Sequence, residues 1–466
     1  MDEFGIGRCV RACVSLALAL TCAGACAQAV DWMSPIYAEV PPWFGGGGLQ
    51  DSSFMPDFDP SSRHQLLLSD AGTPGVVVSG GGQIGEEGLW IPSTPWIAKI
   101  SAEDGSALWR WHPDDYSGGS FSEIAVDGAG DVVAVGSRAG FLLVKFDGAT
   151  GAVRWRVDGA AEYAGLGVTV DRAGDVLMTA THENVEQVAQ KYAGENGALL
   201  WASAIPDAED WGDGLIALDA NGNIVIGGAY SVSDEVSRED GVQIAKIAGD
   251  DGRELWRRRF LGGFMETVHT IDTLPNGDVV FSAGYGSGAQ VMRLAVDSGE
   301  TVWERADIGT DDVVIDREGS IVAGGFIVDG NREIADLQRI DPATGATLWR
   351  RQFPDYFYTT VRQLSIGSDG QVLAALSEGD EFIAFEAAGF DLRTGALRWW
   401  YAPPWEYRPI EHSFPVGIVQ NGAGNVFFGG YKNDFPVYST WAVYSLAPIA
   451  ADTIFLSGVE GYRPAL

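Results

Sequence analysis

The sequence predicts an all-β fold, an eight-bladed β-propeller of four-stranded antiparallel blades whose ring is closed by the N-terminal strand. Three observations predict it. A Gly-x-x-x-Trp motif recurs along the chain, glycine turns followed by apolar strands recur with it, and the segment after the leader repeats the motif once more. A period of about 40 to 50 residues is typical of propeller blades.

The recurring tryptophans are separated by 46, 46, 55, 47, 46 and 50 residues, and a glycine precedes each of them by four positions. The tryptophans are Trp109, Trp155, Trp201, Trp256, Trp303, Trp349 and Trp399. Their glycines are Gly105, Gly151, Gly197, Gly252, Gly299, Gly345 and Gly395. Such regular coincidences indicate repeated copies of one structural unit.

A second marker is a glycine turn followed by a β-branched run, which is typical of a tight hairpin and a buried strand. With the degenerate copy Pro74-Gly75-Val76 the chain has eight of them. The other turn glycines are Gly130, Gly174, Gly222, Gly277, Gly319, Gly370 and Gly424. Within one repeat we predict four strands, over 124–127, 132–136, 141–147 and 152–157.

Eight second strands but seven tryptophan motifs leave one blade without its outer strand. Ala29-Val30-Asp31-Trp32 resembles Ala152-Val153-Arg154-Trp155, so we expect Trp32 to lie on the outer strand of the last blade, beside a third strand over 440–446. Pairing the first and last segments in one sheet removes an exposed edge. The alternative donor of this strand is Ile454-Phe455-Leu456.

The first 29 residues have the composition of a secretory signal peptide, with Arg8 and Arg11 before an apolar run and small residues after it. We therefore predict a signal peptide over 1–29, one propeller domain over 30–448 and a C-terminal tail over 449–466. All four cysteines, Cys9, Cys13, Cys22 and Cys26, lie in the leader, so its removal leaves no thiol. A lipid anchor on Cys26 is the alternative, although the residues before it lack the usual leucine.

The formal net charge is −34 at pH 7. Such an acidic surface repels phosphate backbones, so nucleic acid is not an expected partner. The chain after the leader has no run of about 18 apolar residues, so no transmembrane segment is expected. We expect an exported monomer, located in the periplasm or outside the cell.

Two segments resemble known families. Residues 146–155, Phe-Asp-Gly-Ala-Thr-Gly-Ala-Val-Arg-Trp, and their copy over 340–349 resemble the repeat of PQQ-like, quinoprotein-type β-propellers; residues 216–228 are similar to bacterial secreted β-propeller repeats. The resemblance covers about residues 65 to 447 and implies fold more than function. It implies that the tryptophan of each repeat docks one blade against the next.

Quinone-dependent alcohol dehydrogenases of this superfamily carry an adjacent Cys-Cys disulfide over the cofactor, and this chain has no such pair. The turn Asp219-Ala220-Asn221-Gly222-Asn223 resembles a Ca²⁺ loop, but no bidentate Glu follows at position twelve, so we interpret it as a hairpin turn. The five histidines show no metal-ligand spacing. We expect no cofactor, neither PQQ nor Ca²⁺, and no metal.

A cation recurs in the third strand of successive repeats. The series is Lys99, Lys145, Lys191, Lys246, Arg293 and Arg339. These side chains either form a basic ring that binds an anion or pair with acidic turn residues of each blade. We favour the ion pairs, because the series is interrupted at Gly389 and the overall charge opposes anion capture.

In a propeller, the loops between second and third strands and the connections between blades emerge on one face, here called the long-loop face. The other turns emerge on the opposite, tight-turn face. Insertions over 81–95, 111–122, 229–242, 351–361 and 400–414 fall on the long-loop face, where recognition is expected. The candidate ligand-binding residues are Trp96, Trp111, Asp114, Asp115, Trp400, Trp405, Glu406 and Tyr407. Aromatic residues beside carboxylates suit sugars or basic peptides, or they pin the loops to the scaffold.

No arrangement of residues identifies a catalytic site. Our first hypothesis is a non-enzymatic exported propeller, a binding or scaffold module for a protein or carbohydrate partner at the long-loop face. The alternative is an enzyme, either a divergent PQQ-dependent oxidoreductase or a propeller hydrolase that uses carboxylates. A third hypothesis is that the chain resembles the propeller lipoprotein that scaffolds outer-membrane protein assembly. This role would require a lipid anchor.

Overall fold

The computed structural model describes residues 30–36, 53–55, 65–85, 94–113, 118–182, 186–206, 215–233, 238–261, 267–284, 289–353, 359–378, 384–401, 411–434 and 438–448. Within these ranges all regular structure is β-strand, arranged as eight antiparallel sheets. These sheets are the blades of a propeller. The predicted eight-bladed, all-β fold is therefore confirmed.

Blades are numbered in chain order, and the four strands of a blade are called A to D from the central channel outward. Two strands precede the first blade, β1 (Val30–Ile36) and β2 (Ser53–Met55). Blade 1 consists of β3 (Leu66–Ser69), β4 (Gly75–Gly85), β5 (Thr94–Ser101) and β6 (Ala107–Trp111). Blade 2 consists of β7 (Ser120–Val126), β8 (Val132–Ser137), β9 (Phe141–Phe146) and β10 (Val153–Asp158). Blade 3 consists of β11 (Tyr163–Val170), β12 (Val176–His182), β13 (Glu186–Tyr192) and β14 (Leu199–Pro206). Blade 4 consists of β15 (Leu215–Leu218), β16 (Ile224–Ser233), β17 (Arg238–Ile247) and β18 (Glu254–Leu261).

The second half of the chain repeats this plan. Blade 5 consists of β19 (Val268–Thr273), β20 (Val279–Ala283), β21 (Gln290–Leu294) and β22 (Thr301–Arg305). Blade 6 consists of β23 (Asp312–Ile315), β24 (Ile321–Asp329), β25 (Arg332–Ile340) and β26 (Thr347–Phe353). Blade 7 consists of β27 (Thr359–Ile366), β28 (Gln371–Glu378), β29 (Ala384–Asp391) and β30 (Leu397–Tyr401). Blade 8 contains β31 (Glu411–Gln420), β32 (Val426–Asp434) and β33 (Tyr438–Leu446).

Strands that follow one another in the chain pair within each blade, and blade 1 gains a fifth strand because β2 pairs with the far end of β4. The predicted strands agree with the observed ones to within a few residues. The cores lie between blades, as shown by the cluster in which Val77 and Ile97 of blade 1 pack against Phe121 and Leu142 of blade 2. The B strands contribute side chains on both faces, which explains their apolar sequences.

The sheet of blade 8 has the order β1-β33-β32-β31, and Trp32 is opposite Ser445. A one-residue bulge at Asp31 interrupts this register. The other seven D strands have a bulge at the same place, directly before the tryptophan, as at Arg154 and Leu348. That β1 holds the ring closed stays a prediction, and the alternative donor Ile454-Phe455-Leu456 lies outside the described residues.

One predicted loop insertion, 229–242, is largely a hairpin, because β16 and β17 extend to Ser233 and from Arg238. Tyr230 explains this extension. Its hydroxyl donates to Glu239 Oε1 at 3.1 Å, and the Arg259 guanidinium lies 4.8 Å from its ring centroid. Cation–π contact and hydrogen bonding thus hold the hairpin against β18 of the same blade.

Candidate functional site

The polar residues of the repeat meet where the turn between the C and D strands of one blade touches the preceding blade. The indole Nε1 of each repeat tryptophan in blades 1 to 6 donates to a backbone carbonyl of that turn in the next blade, at 2.8 to 3.2 Å. The donor and acceptor pairs are Trp109 and Gly148, Trp155 and Gly194, Trp201 and Gly249, Trp256 and Val296, Trp303 and Pro342, and Trp349 and Leu392. Each tryptophan therefore contacts the neighbouring blade.

The glycine of the Gly-x-x-x-Trp motif lies on the tryptophan ring of the preceding blade. Gly345, for example, has a φ of 73°, and a Cβ added to it would lie 2.9 Å from Cδ2 of Trp303. The same close approach joins Gly151 to Trp109 and Gly252 to Trp201. The motif is thus a pair of complementary parts in which the glycine of one blade makes room for the indole of another.

The C-strand cations bind to the same turn carbonyls as the tryptophans. Lys99 Nζ donates to Gly148 O at 3.0 Å, and Lys145 Nζ donates to Gly194 O at 3.1 Å. Lys191, Lys246 and Arg293 do the same at Gly249, Val296 and Pro342. Five carbonyls therefore each accept two side-chain donors from the preceding blade. Buried carbonyls with both lone pairs satisfied stabilise a junction more than a single bond does.

Four of these cations also pair with a carboxylate of the A–B turn in their own blade, as the sequence led us to expect. The N–O distances are 2.8 Å for Lys145 and Asp127, Lys191 and Asp171, and Lys246 and Asp219, and 2.9 Å for Arg293 and Asp278. Lys99 instead donates to Ala71 O at 2.6 Å, and Arg339 to Ser320 Oγ at 3.0 Å. The cations lie inside the blade junctions, so they do not form a ring open to an anion.

The carboxylates of three of these pairs have pKa values below the usual 3.8. Burial by itself raises the pKa of Asp219, but hydrogen bonds from Lys246 and Asn223 outweigh it, so the pKa lies below the usual 3.8. At Asp127 and Asp278, burial likewise raises the pKa. Hydrogen bonds from the cation and from backbone N–H groups outweigh this effect, so both pKa values also lie below the usual 3.8. Burial lowers the pKa of Lys99, and Asp70 and Asp147 counteract only part of this effect.

Residues 219–223 form a hairpin turn in which Gly222 N donates to Asp219 O at 3.0 Å, and both carboxylate oxygens of Asp219 are occupied. Asp219 Oδ1 accepts from the backbone N–H groups of Asn221 and Asn223 at 2.8 and 2.9 Å, while Oδ2 binds Lys246. A Ca²⁺ ligand would have to exchange these bonds for the metal. Within the described part of the chain, no group of three or more His, Cys, Asp or Glu side chains is placed to hold a metal ion.

The junction between blades 7 and 8 departs from this pattern. Gly389 replaces the cation, and the ring of Trp399 fills the space, since a Cβ on Gly389 would lie 2.1 Å from its Nε1. Trp399 Nε1 donates to Gln371 Oε1 of its own blade at 2.8 Å. Apolar contacts hold this junction instead, among them the ring of Tyr401 in blade 7, whose centroid lies 5.7 Å from that of Phe428 in blade 8.

Sequence reasoning missed a second set of residues that join blades 4 to 7. Arg258, Arg305 and Arg351 each lie two residues after the repeat tryptophan and donate to carbonyls of the next blade, Ser298 O, Gly345 O and Gly395 O. The Trp-x-Arg spacing in three consecutive repeats is the signal that could have identified them. The arginines are therefore structural, although they lie near the surface.

A third missed set joins the inner strands. Glu123 Oε2 accepts from Val168 N at 2.9 Å, and Asp312 Oδ2 accepts from Leu364 N at 2.7 Å, in each case across to the A strand of the next blade. Thr270 Oγ1 donates to Val313 O at 3.4 Å in the same way. These side chains border a central channel with a volume of about 990 Å³. Glu123 and Asp312 are thus already used in holding blades together.

Three of the predicted ligand-binding residues are described, and all three lie in strands. Trp111 is the last residue of β6 and packs 5.2 Å from the ring of Phe146. Trp96 belongs to β5 and packs against the core between blades 1 and 8. Trp400 belongs to β30, is 4% exposed, and its Nε1 donates to the buried Glu386 Oε2 at 2.8 Å.

The expectation that Trp400 belongs to a loop insertion is therefore corrected: the strand continues through it, because a large indole gains more by burial when its N–H also has a partner. The other candidates, Asp114, Asp115, Trp405, Glu406 and Tyr407, lie outside the described residues.

Within the described ranges, no helix is long and apolar enough to span a bilayer.

A family model described as outer membrane protein assembly factor BamB matches residues 93–201 and 184–354, which together exceed half of the chain. This chain belongs to that family. Membership in the BamB family confirms the PQQ-like resemblance of the repeats. None of the curated proteins compared with the chain matches it.

Solved structures agree on the fold of this BamB-family chain. A europium-containing methanol dehydrogenase matches with a TM-score of 0.54 and 10% identity, over 84% of this chain and 93% of the other. A quinohemoprotein alcohol dehydrogenase from Comamonas testosteroni matches with a TM-score of 0.50 and 11% identity, over 88% and 79%. BamB from Moraxella catarrhalis gives a TM-score of 0.49 and 17% identity, over 86% and 98%. At such identities the likeness to the two dehydrogenases shows the fold alone.

Proposed function

We propose that this chain is an exported, non-enzymatic propeller that serves as a binding or scaffold module, with its partner at the long-loop face. One observation carries the proposal. The polar residues that recur in the blades are engaged in joining blades, as in Lys246, which contacts Asp219 and Val296 O together. Chemistry beyond this framework must therefore come from the segments that differ between blades.

The family description supports a protein partner in the cell envelope, since the matching model is described as an outer membrane protein assembly factor. A carbohydrate partner remains the alternative that the aromatic content of the loops suggests. We assign recognition to Asp114, Asp115, Trp405, Glu406 and Tyr407. Trp111 and Trp400 lie in the strands directly before these loops, and Trp96 lies in β5 of blade 1.

A quinone cofactor does not fit the residues that the structure describes. The adjacent cysteine pair of quinone dehydrogenases has no counterpart, because all four cysteines belong to residues 1–29. Asp219, in the turn whose sequence resembles a Ca²⁺ loop, is bonded to backbone N–H groups and to Lys246. No reaction step is therefore assigned to quinone or calcium here.

The test is a capture experiment with residues 30–466 immobilised and detergent-solubilised envelope proteins as the sample. Trp405→Ala/Tyr407→Ala removes the aromatic residues of one long loop. Arg172→Ala/Asp250→Ala is the matched control on the tight-turn face, where both side chains are exposed. We expect quantitative mass spectrometry to show partners lost with the first variant and retained with the second. The reverse result would transfer recognition to the tight-turn face.

A second measurement addresses the enzymatic alternative. Residues 30–466 are incubated with PQQ and Ca²⁺, passed through a desalting column and assayed for dye-linked alcohol oxidation. We expect neither retained quinone absorbance nor activity. Retained quinone together with alcohol oxidation would instead make this chain an oxidoreductase.

The lipid anchor is tested with the full chain expressed in cells that are fed a radioactive fatty acid. We expect no label, because the segment before Cys26 lacks the usual leucine. Label that disappears in Cys26→Ser would show that the chain is anchored rather than free after export.

A further inference from the structure

The D strand of each blade has one edge that pairs with the C strand and one edge that faces outward. Such edges template pairing with other chains, and charged side chains are the usual protection. Seven of the eight D strands carry at least one charged residue within their bounds. Examples are Asp31 in β1, Arg110 in β6, Arg154 in β10, Arg257 in β18, Glu304 in β22, Arg350 in β26 and Arg398 in β30.

The exception among these eight strands is β14 of blade 3, Leu199–Pro206, with the sequence Leu-Leu-Trp-Ala-Ser-Ala-Ile-Pro. It has eight residues, as many as the longest other D strand. Leu199 and Leu200 are 54% and 51% exposed, and Ala202 and Ala204 are exposed as well. The strand thus presents an uncharged, apolar edge that is long enough for several backbone hydrogen bonds with an added strand.

The surroundings of β14 indicate what can pair with it. The C–D turn before the strand contributes the exposed Glu195, and the sequence directly after it, residues 207–214, has four acidic residues and no basic one. A second copy of this chain would bring the same acids to both ends of the pair and add the repulsion of two chains with a net charge of −34. Basic flanks on the added strand would be attracted instead.

We propose that β14 is a second docking surface, separate from the long-loop face, for an extended segment of a partner protein. The segment has an uncharged, alternately apolar centre and lysine or arginine at its ends. Its backbone pairs with the outward edge of β14, its apolar side chains cover Leu199 and Leu200, and its cations match the exposed Glu195 before the strand and the acidic sequence that follows it.

The test uses three fluorescent peptides and residues 30–466. All have the same ten-residue alternating Val-Thr centre; one has two lysines at each end, one has two glutamates at each end, and one has the lysines and N-methyl groups on alternate backbone amides. Fluorescence anisotropy should show binding of the lysine peptide. We expect the other two to bind at least tenfold more weakly, because they lack the charge match or the backbone donors.

Leu200→Asp/Ala202→Asp adds charges to the edge without altering buried residues. If the lysine peptide bound by charge attraction alone, these added acids would strengthen its binding to the variant. A loss of at least tenfold in affinity therefore identifies strand pairing. Thr301→Asp/Val302→Asp makes the same change on exposed residues of β22 and should leave the affinity unchanged.

Equal binding to the β14 variant and the parent would overturn the proposal, as would an equal loss with the β22 variant. Analytical ultracentrifugation identifies the other occupant: a parent dimer that dissociates in the β14 variant would assign the edge to a second copy. Trp405→Ala/Tyr407→Ala should bind the lysine peptide like the parent, so failure at the long-loop face and failure at β14 are distinguished.

Discussion

Single residues at the blade junctions have roles that their burial and partners define. The indole of Trp303 is 9% exposed, lies on Gly345 and donates to Pro342 O at 2.8 Å. Arg293 contacts the same carbonyl. The loss of one such indole therefore removes apolar contact and a hydrogen bond to a shared acceptor at the same time.

Trp303→Ala should lower the free energy of unfolding by about 3 to 5 kcal/mol, since the surrounding blades cannot fully collapse into the space left by the ring. Urea titration followed by circular dichroism measures the change. Leu348→Ala, at an apolar position that is 50% exposed, is the control and should shift the midpoint little. Equal midpoints for Trp303→Ala and the parent would remove the blade-docking role.

Asp219 predicts how stability depends on pH. Its folded pKa lies below the usual 3.8, because hydrogen bonds from Lys246 and Asn223 outweigh the effect of burial. A lowered carboxyl pKa contributes stability that is present above the usual pKa and is lost as the pH falls through the folded value. Between about pH 5 and pH 2, Asp219→Asn should therefore lose less stability than the parent.

The measurement is a series of urea midpoints across that pH range for both proteins. Lys246→Met is the complementary variant at neutral pH, where it leaves the Asp219 carboxylate buried without its cation, at an expected cost of about 3 to 5 kcal/mol. A pH profile of Asp219→Asn that parallels the parent would show that this pair does not contribute to the acid dependence.

At the scale of the element, the C–D turn has two requirements. Its glycine must adopt a left-handed φ, and it must leave room for the indole of the preceding blade. Gly345 and Gly330 have left-handed φ values of 73° and 66°, but only Gly345 has a tryptophan in contact; a Cβ on Gly330 would meet nothing within 4 Å. Gly330→Ala should cost about 1 to 2 kcal/mol through the backbone alone. Gly345→Ala should cost about 1 to 3 kcal/mol more, because the methyl group overlaps Trp303.

Urea midpoints of the two variants decide this prediction. Similar midpoints would mean that Trp303 moves aside without cost and that the turn is not a fitted part of the junction. The comparison separates the conformational requirement of a turn, which is local, from the packing requirement, which comes from the neighbouring blade.

At the scale of the whole molecule, we predict that a strand supplied by the start of the chain closes the ring. Deletion of residues 30–40 should destabilise the entire propeller, since β33 loses its paired neighbour and exposes an edge. Differential scanning calorimetry of this deletion and of a deletion of residues 449–466 compares the two candidate donors. If only the second deletion lowers the melting temperature, closure belongs to Ile454-Phe455-Leu456.

The sequence by itself determined the number of blades, the order of the strands and the positions of the repeat tryptophans and cations. These features depend on local patterns, namely turn glycines, β-branched runs and a period of about 48 residues, all of which are visible along one dimension. The ion pair of Lys145 with Asp127 was also predictable, because both residues belong to one repeat.

The tertiary structure alone decided which side chains are left for recognition. Trp400 is in the core because Glu386 of the neighbouring strand accepts its N–H, and Gly389 is tolerated because the ring of Trp399 occupies the cation position. Arg258 and Glu123 bind across blade boundaries, to partners about 40 to 45 residues away. Their partners follow from the packing of one blade on the next, which no local pattern records.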